Sequence, residues 1–173
     1  LDAAEALKAP MIRVWAGKKA SADAEEPYRN TVKEDARRIC KLAAKRKIQI
    51  AVEYHANTLT DSIESAAELF SDLQLDTLSS LWQPPNGQPE EICVQSLQSL
   101  LPRISNVHVF HWGKRGFNER FPLADGKERW TRYFELLQTE PKPRWALMEF
   151  VKDDSLSQYH SDALVLREML KKG

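Results

Sequence analysis

The chain has 173 residues, of which 42% are hydrophobic and 29% are charged. This composition is ordinary for a globular protein with one sizeable core, and it argues against disorder and against a coiled coil. Twenty-five basic residues balance 25 acidic ones, so no global field attracts nucleic acid or an anionic membrane. We therefore expect neither nucleic acid nor a membrane as a partner.

Cysteine usage and the chain ends bear on the cellular compartment. Cys40 and Cys93 both fall in predicted helices, which suits a reducing cytoplasm better than a disulfide scaffold. No apolar run approaches the roughly 20 residues of a membrane span. Leu1 begins neither a signal peptide nor a transit peptide. We predict a cytoplasmic protein, and the lack of an initial methionine hints that an N-terminal portion is absent.

Strands are predicted to alternate with helices along the chain. After a short helix over residues 1–9, the strands are 11–16, 48–54, 78–82, 104–111 and 144–151. Capping-box patterns at 31–34 and 61–64 begin the first two helices between strands. Helical spacing of apolar residues predicts the remaining helices at 90–101, 127–138 and 156–171.

Apolar stripes predict which faces of these helices are buried. The second helix between strands is expected to bury Ile63, Ala66, Ala67 and Phe70. The helix at 127–138 places Trp130, Tyr133, Phe134 and Leu137 on one face, and the last helix is expected to pack through Leu164, Leu166 and Leu170.

Five strand-then-helix units indicate parallel βαβ crossovers. A complete (β/α)8 barrel takes about 250 residues, so five units fit this length and eight do not. The fold class is therefore α/β, either a partial (β/α)8 TIM barrel or an open doubly wound sheet. No glycine-rich phosphate loop follows any strand, which disfavours the nucleotide-binding form of the second fold.

Each predicted strand carries a polar residue at or near its C-terminal end. In the stretch 48–55, the aliphatic residues share one parity, and Glu53 and His55 share the other. In a parallel barrel such strand ends meet at one rim, where two carboxylates, an imidazole and an amide suit Mn, Mg, Co or Zn. The polar residues at the strand ends are Arg13, Glu53 with His55, Gln83, His108 with His111, and Glu149.

Five runs of sequence resemble strands four to eight of the sugar phosphate isomerase/epimerase family, the xylose-isomerase-like TIM barrels. The resemblance covers nearly the whole chain, in the family's order, and it implies one domain over residues 1–173 that corresponds to the C-terminal five units of a barrel. The runs are Ile12-Arg13-Val14-Trp15-Ala16-Gly17, Val52-Glu53-Tyr54-His55, Leu81-Trp82-Gln83-Pro84, Val107-His108-Val109-Phe110-His111-Trp112 and Ala146-Leu147-Met148-Glu149-Phe150.

In that family a Glu, an Asp, a His and a Glu hold one divalent ion, and the two glutamates shuttle a proton between adjacent carbons. The resemblance therefore implies four metal ligands, Glu53, Gln83, His108 and Glu149, with both glutamates also catalytic. Gln83 departs from the family's Asp. Because an amide oxygen brings no charge, the ion would be held more weakly or would be absent.

Substrate contacts follow from the same resemblance. The family's sugar-contacting His corresponds to Asn86, and its Arg corresponds to Lys114 with Arg115 adjacent, which favours neutral or differently shaped sugars. Other roles stay open on the residues themselves. Arg13 either binds substrate or forms an ion pair with Glu53, and His55 and His111 either line the substrate pocket or cap loops. Three tryptophans also lie near strand ends, where each could stack on a sugar face or belong to the core: Trp15, Trp82 and Trp112.

The expected function is a metal-assisted isomerase or epimerase that acts on a small sugar or keto-polyol through an enediolate. An inosose dehydratase-like lyase would use the same enolate and expel water. A catalytically silent sugar-binding or assembly protein is the alternative from another class, because of Gln83 and the three missing units. Five strands leave two exposed sheet edges, so we expect either a homo-oligomer or a missing N-terminal segment.

Overall fold

The computed structural model describes residues 1–171. The helices are α1 (Asp2–Ala6), α2 (Glu26–Ala44), α3 (Ile63–Leu73), α4 (Glu90–Leu100), α5 (Lys127–Gln138) and α6 (Leu156–Lys171). The strands are β1 (Met11–Val14), β2 (Gln49–Glu53), β3 (Leu78–Trp82), β4 (Ile104–Val109), β5 (Trp112–Gly113), β6 (Gly116–Arg120) and β7 (Trp145–Met148). The chain divides into two compact units, residues 1–83 with 103–105, and residues 84–102 with those from 106 onwards. The assignment of residues 1–173 to a single domain stays a prediction.

In the first unit, β1, β2 and β3 pair in parallel, in that order. The register places Arg13 beside Ala51 and Glu53 beside Leu81. Residues 50–53 of β2 are all buried, so this strand is covered on both faces. Burial on both faces is typical of a parallel strand between helices, and it explains the near-continuous apolar run that ends at Glu53.

In the second unit, β4 and β7 pair in parallel, and a short antiparallel hairpin, β5–β6, follows β4. His108 lies beside Leu147 in this register. The predicted buried face of α5 is confirmed: Trp130, Tyr133, Phe134 and Leu137 are all buried. The hairpin could not be predicted from the sequence, because a two-residue strand beside glycines has no recognisable alternation.

Three of the predicted helix details are wrong. The first capping box fails because α2 already begins at Glu26, with Pro27 in its first turn, so Thr31 lies inside the helix and its hydroxyl donates to the Pro27 carbonyl (3.0 Å). In α3, Ala67 is exposed and Ile63 half-buried, while Ser65, Leu69 and Leu73 join the buried face. In α6, Leu164 and Leu170 are exposed, and the buried residues are Asp162, Leu166 and Met169.

Among the helices within residues 1–171, none combines the length and apolar character needed to cross a bilayer.

The start of α3 provides a stability test close to the strand that carries Glu53. The Ser62 hydroxyl caps the helix by accepting a hydrogen bond from the Ser65 amide (3.2 Å). We expect Ser62→Ala to lower the free energy of unfolding by about 1 kcal/mol. The matched control is Ser71→Ala, an exposed residue of the same helix, for which little change is expected. Urea unfolding followed by circular dichroism measures both, and equal effects would contradict the capping role.

Candidate active site

Glu53 ends β2 and is almost completely buried, with 1% of its surface exposed. Two donors from the end of β1 reach the same carboxylate oxygen, Oε2: the guanidinium of Arg13 at 2.5 Å and the indole N–H of Trp15. A buried carboxylate is stable only when its charge is paired and hydrogen-bonded. Of the two roles left open for Arg13, the ion pair with Glu53 is therefore present in the structure.

Buried threonines fix the loop that follows Glu53. The Thr60 hydroxyl donates to the main-chain carbonyl of Glu53 (2.6 Å), and the Thr58 hydroxyl donates to the carbonyl of His55 (2.7 Å). The Leu59 amide donates to the Ala16 carbonyl (2.9 Å), which ties this loop to the one after β1. These threonines could not be predicted from the sequence, because loop residues carry no periodic signal.

An aromatic surface lies beside this carboxylate. The rings of Trp15 and His55 stack with centroids 4.5 Å apart, and Trp15 is 48% exposed. Gln83 follows β3 directly and is buried, and Trp82 before it is completely buried. Trp82 is thus a core residue, whereas Trp15 has both a hydrogen-bonding role and a face open for stacking.

In the second unit, the other predicted glutamate lies beside the predicted histidine. His108 Nδ1 is 3.3 Å from Glu149 Oε2, and His108 is buried while Glu149 is partly exposed. Glu149 lies one residue beyond β7, and its amide donates to the Val109 carbonyl (3.1 Å), which continues the pairing of β4 and β7. The parallel register therefore sets the carboxylate against the imidazole.

The loop after Glu149 is strained and tied down. Phe150 has a left-handed backbone conformation (φ 44°), which is unfavourable for an aromatic residue. Arg120 of β6 donates to the Val151 carbonyl (3.1 Å) and binds both carboxylate oxygens of Asp154 (2.6 and 3.0 Å). The Arg120 guanidinium lowers the pKa of Asp154. Arg120 thus holds the loop that positions Glu149, a role the sequence did not indicate.

A cavity of about 510 Å³ in the second unit contains three of the predicted substrate-binding residues, Asn86, His111 and Lys114. Arg129 also lines it, although the sequence analysis did not select that residue. Arg115 is not part of the lining, and its guanidinium lies 3.8 Å from Glu119.

Two glycines allow the loops around this cavity to approach each other. Gly87 has φ +70°, and a Cβ there would lie 3.0 Å from the Lys114 carbonyl oxygen. Gly116 has φ +61°, and a Cβ there would lie 3.5 Å from the Asn86 side chain. The loop after β3 therefore packs on the β5–β6 hairpin, which places Asn86 and Lys114 at one cavity.

His111 is packed tightly at the wall of this cavity. A Cβ on Gly126 would lie 2.6 Å from its Nδ1, so only glycine fits against the ring. Burial lowers the pKa of His111, Arg129 lowers that pKa further, and Asp125 acts in the opposite direction. We therefore expect a neutral imidazole here at pH 7, which lines the cavity without adding charge.

This pKa shift predicts a pH-dependent stability. Below the ordinary pKa of 6.5, unfolded His111 takes up a proton that the folded protein accepts less readily. The stabilisation by His111 is thus complete above pH 6.5 and declines as the pH falls towards the folded pKa. We expect the difference in unfolding free energy between wild type and His111→Gln to shrink between pH 7.5 and 5.5. The same slope for His160→Gln, at an exposed position of α6, would contradict this assignment.

Parallel strands, each followed by a helix and ending in these polar side chains, define the α/β partial (β/α)8 TIM barrel predicted from the sequence. The family model described as xylose isomerase-like TIM barrel matches residues 1–171. The chain belongs to that family, which confirms the resemblance.

One curated protein and one solved structure from the same organism are similar to this chain. A 3-dehydroshikimate dehydratase from Bacillus anthracis is 34% identical over 109 residues, in a match that covers 59% of this chain and 37% of that protein. The solved structure of the probable 3-DHS dehydratase AsbF from the same organism has a TM-score of 0.76 and 23% identity, covering 94% of this chain and 64% of that one.

Two further structures share the fold. A xylose isomerase-like TIM barrel protein from Mycobacterium smegmatis in complex with magnesium has a TM-score of 0.69 and 14% identity, covering 98% of this chain and 64% of that one. The E. coli 3-keto-D-glucoside 4-epimerase YcjR has a TM-score of 0.60 and 13% identity, covering 93% and 63%. The chain thus spans less than two thirds of each of these relatives.

Proposed function

We propose that this chain carries the proton-transfer site of a metal-assisted isomerase or epimerase that acts on a small sugar or keto-polyol. The observation that carries the proposal is the His108–Glu149 pair at the end of β4 and β7, together with the buried, doubly hydrogen-bonded Glu53 at the end of β2. In barrels of this kind, the C-terminal ends of the strands supply the catalytic residues.

The donor set suits a divalent ion. As its ligands we propose Glu53, Gln83, His108 and Glu149, which offer two carboxylates, one imidazole and one amide. One nitrogen with several oxygens fits Mn, Mg, Co or Zn, and an amide in place of a carboxylate weakens the binding. Magnesium in the Mycobacterium smegmatis structure supports an ion in a member of this family. When bound, such an ion supplies positive charge that acidifies a C–H next to a carbonyl.

The surroundings of the two glutamates suggest different roles. Oε2 of Glu53 already accepts hydrogen bonds from Arg13 and Trp15, whereas the carboxylate of Glu149 is partly exposed and its Oε2 lies 3.3 Å from His108 Nδ1. We therefore assign removal of the proton alpha to the carbonyl to Glu149. Glu53 delivers this proton to the adjacent carbon after receiving it from Glu149, so that both glutamates are carboxylates again after each turnover. Arg13 and Trp15 are positioning residues, because they act through Glu53.

Dehydration is a second candidate, favoured by the 34% identity to a 3-dehydroshikimate dehydratase. In this reaction Glu149 removes the same proton and the electron pair forms an enolate. The C–O bond of the β-hydroxyl then breaks, and the proton that Glu149 removed is delivered to the leaving oxygen, so that water departs and Glu149 is a carboxylate again. The two reactions share their first step and differ in what the enolate does next.

The shared step predicts exchange of a substrate C–H with solvent. With D-fructose or 3-dehydroshikimate in D2O and added Mn, we expect deuterium incorporation or product formation by wild type. We expect Glu149→Gln to slow it by at least about a hundredfold, because a positioned general base contributes on the order of 10²–10⁴. NMR follows the exchange, and ultraviolet absorbance reports a conjugated dehydration product.

The control for this experiment is Glu128→Gln, an exposed residue at the start of α5. Binding of either compound without exchange or turnover would overturn the enzyme proposal and favour the silent sugar-binding protein. Isomer without loss of water identifies an isomerase or epimerase, and loss of water identifies a dehydratase.

Gln83 provides a separate test of the metal ligands. We expect Gln83→Asp to tighten Mn binding about tenfold or more, because the added carboxylate brings the charge that an amide lacks. Isothermal titration calorimetry after EDTA treatment measures this change. The gain is expected to disappear when Glu53→Gln is combined with Gln83→Asp, and an unchanged affinity in Gln83→Asp would contradict the proposed role of Gln83.

A further inference from the structure

The cavity in the second unit contains two cationic side chains with different surroundings. Lys114 lies at its rim, and within residues 1–171 its ammonium group has no ion-pair partner. Arg129 lies deeper, half-buried on the first turn of α5. Its nearest carboxylate, Glu90, is 3.9 Å away and is bound more closely by Arg132 at 2.9 Å. Arg129 thus shares a single carboxylate with Arg132, and the two cations of the cavity outnumber the carboxylate that one of them contacts.

The rest of the lining is aromatic or neutral. Phe110 and Trp112 stack with centroids 3.7 Å apart, and the half-buried His111 is expected to be neutral. Asn86 adds a side-chain amide that can both donate and accept hydrogen bonds. Asp125 acts on His111 from outside this lining. The cavity thus combines flat apolar walls with a net positive charge, which suits a small ring or chain that carries an anionic group.

The cavity borders the proposed base. A narrow cleft in the same unit is lined by Glu149 and shares Phe110, His111 and Phe121 with the cavity. The cavity that contains Lys114 and Arg129 is therefore adjacent to the cleft at the residue proposed as the base.

We propose that this cavity binds an anionic group of the substrate, a carboxylate or a phosphate, through Lys114 and Arg129. The inference rests on the proposed function and narrows it: the substrate is an acidic keto-polyol and not a neutral sugar. Arg129 is a specificity-determining residue, since a guanidinium binds carboxylate and phosphate oxygens in pairs. An acidic substrate differs from the neutral sugars that Asn86 and Lys114 favour when they are compared with the family's His and Arg.

The test compares matched charged and neutral probes by calorimetry, without turnover. Shikimate is compared with its methyl ester for a carboxylate, and fructose 6-phosphate with fructose for a phosphate. We expect the anionic member of one pair to bind at least tenfold more tightly than its neutral partner, and the pair that shows this identifies the group. We expect Arg129→Gln and Lys114→Gln each to reduce that preference about tenfold, the value of one charged hydrogen bond.

Two variants on the same helix serve as controls. Arg129→Lys keeps the charge and is expected to retain most of the preference. Lys127→Gln removes a cation that pairs with Glu168 and lies outside the cavity, and it is expected to change the preference less than twofold. Equal binding of charged and neutral probes, or equal effects of Arg129→Gln and Lys127→Gln, would overturn the inference. Anion preference without proton exchange would reject the proposed function and leave the binding site standing.

Discussion

The buried carboxylate of Glu53 imposes the strongest constraint on the first unit. An ionised carboxylate without a partner costs several kcal/mol to bury, so Glu53 can end β2 only if donors reach it. Both donors come from the end of the neighbouring strand, which requires the observed register of β1 and β2. The hydrogen bond from the Leu59 amide to the Ala16 carbonyl then ties together the loops that follow these two strands. One electrostatic requirement thus connects strand register, loop structure and the aromatic pair of Trp15 and His55.

The second unit positions its glutamate by different means. Backbone pairing between β4 and β7 brings Glu149 to His108, and the chain must then turn sharply at Phe150. A left-handed conformation at a non-glycine residue persists only when its surroundings enforce it. The contacts of Arg120 with Val151 and Asp154 do so. The hairpin that carries Arg120 also forms one wall of the cavity, so the same short element orders the glutamate loop and places Lys114.

Much of this architecture could be predicted from local sequence, and the limits have physical causes. The predicted bounds of α5 and β3 agree with the structure, because helical spacing of buried residues determines the first and the proline-rich loop after Trp82 ends the second. The start of α2 was mispredicted because a capping pattern inside a helix looks the same as one at its end. The strand-end positions of Glu53, His108 and Glu149 could be predicted from parity and resemblance. The contacts of Trp15, Thr60 and Arg120 could not be predicted, since each is a tertiary contact with a residue distant in sequence.

The residues that differ from the family pattern have related effects on the charge of the proposed site. Gln83 in place of the family's Asp removes one negative charge from the proposed ligand set. Lys114 keeps a positive charge where the resemblance places the family's Arg, and Arg129 lines the same cavity. Two cations there lower the electrostatic cost of binding an anion near Glu149, because they offset the repulsion between two negative charges at short range. Under the proposed function, a weaker metal ligand at Gln83 and a cationic cavity around Lys114 are therefore compatible, provided that the substrate brings a negative charge of its own.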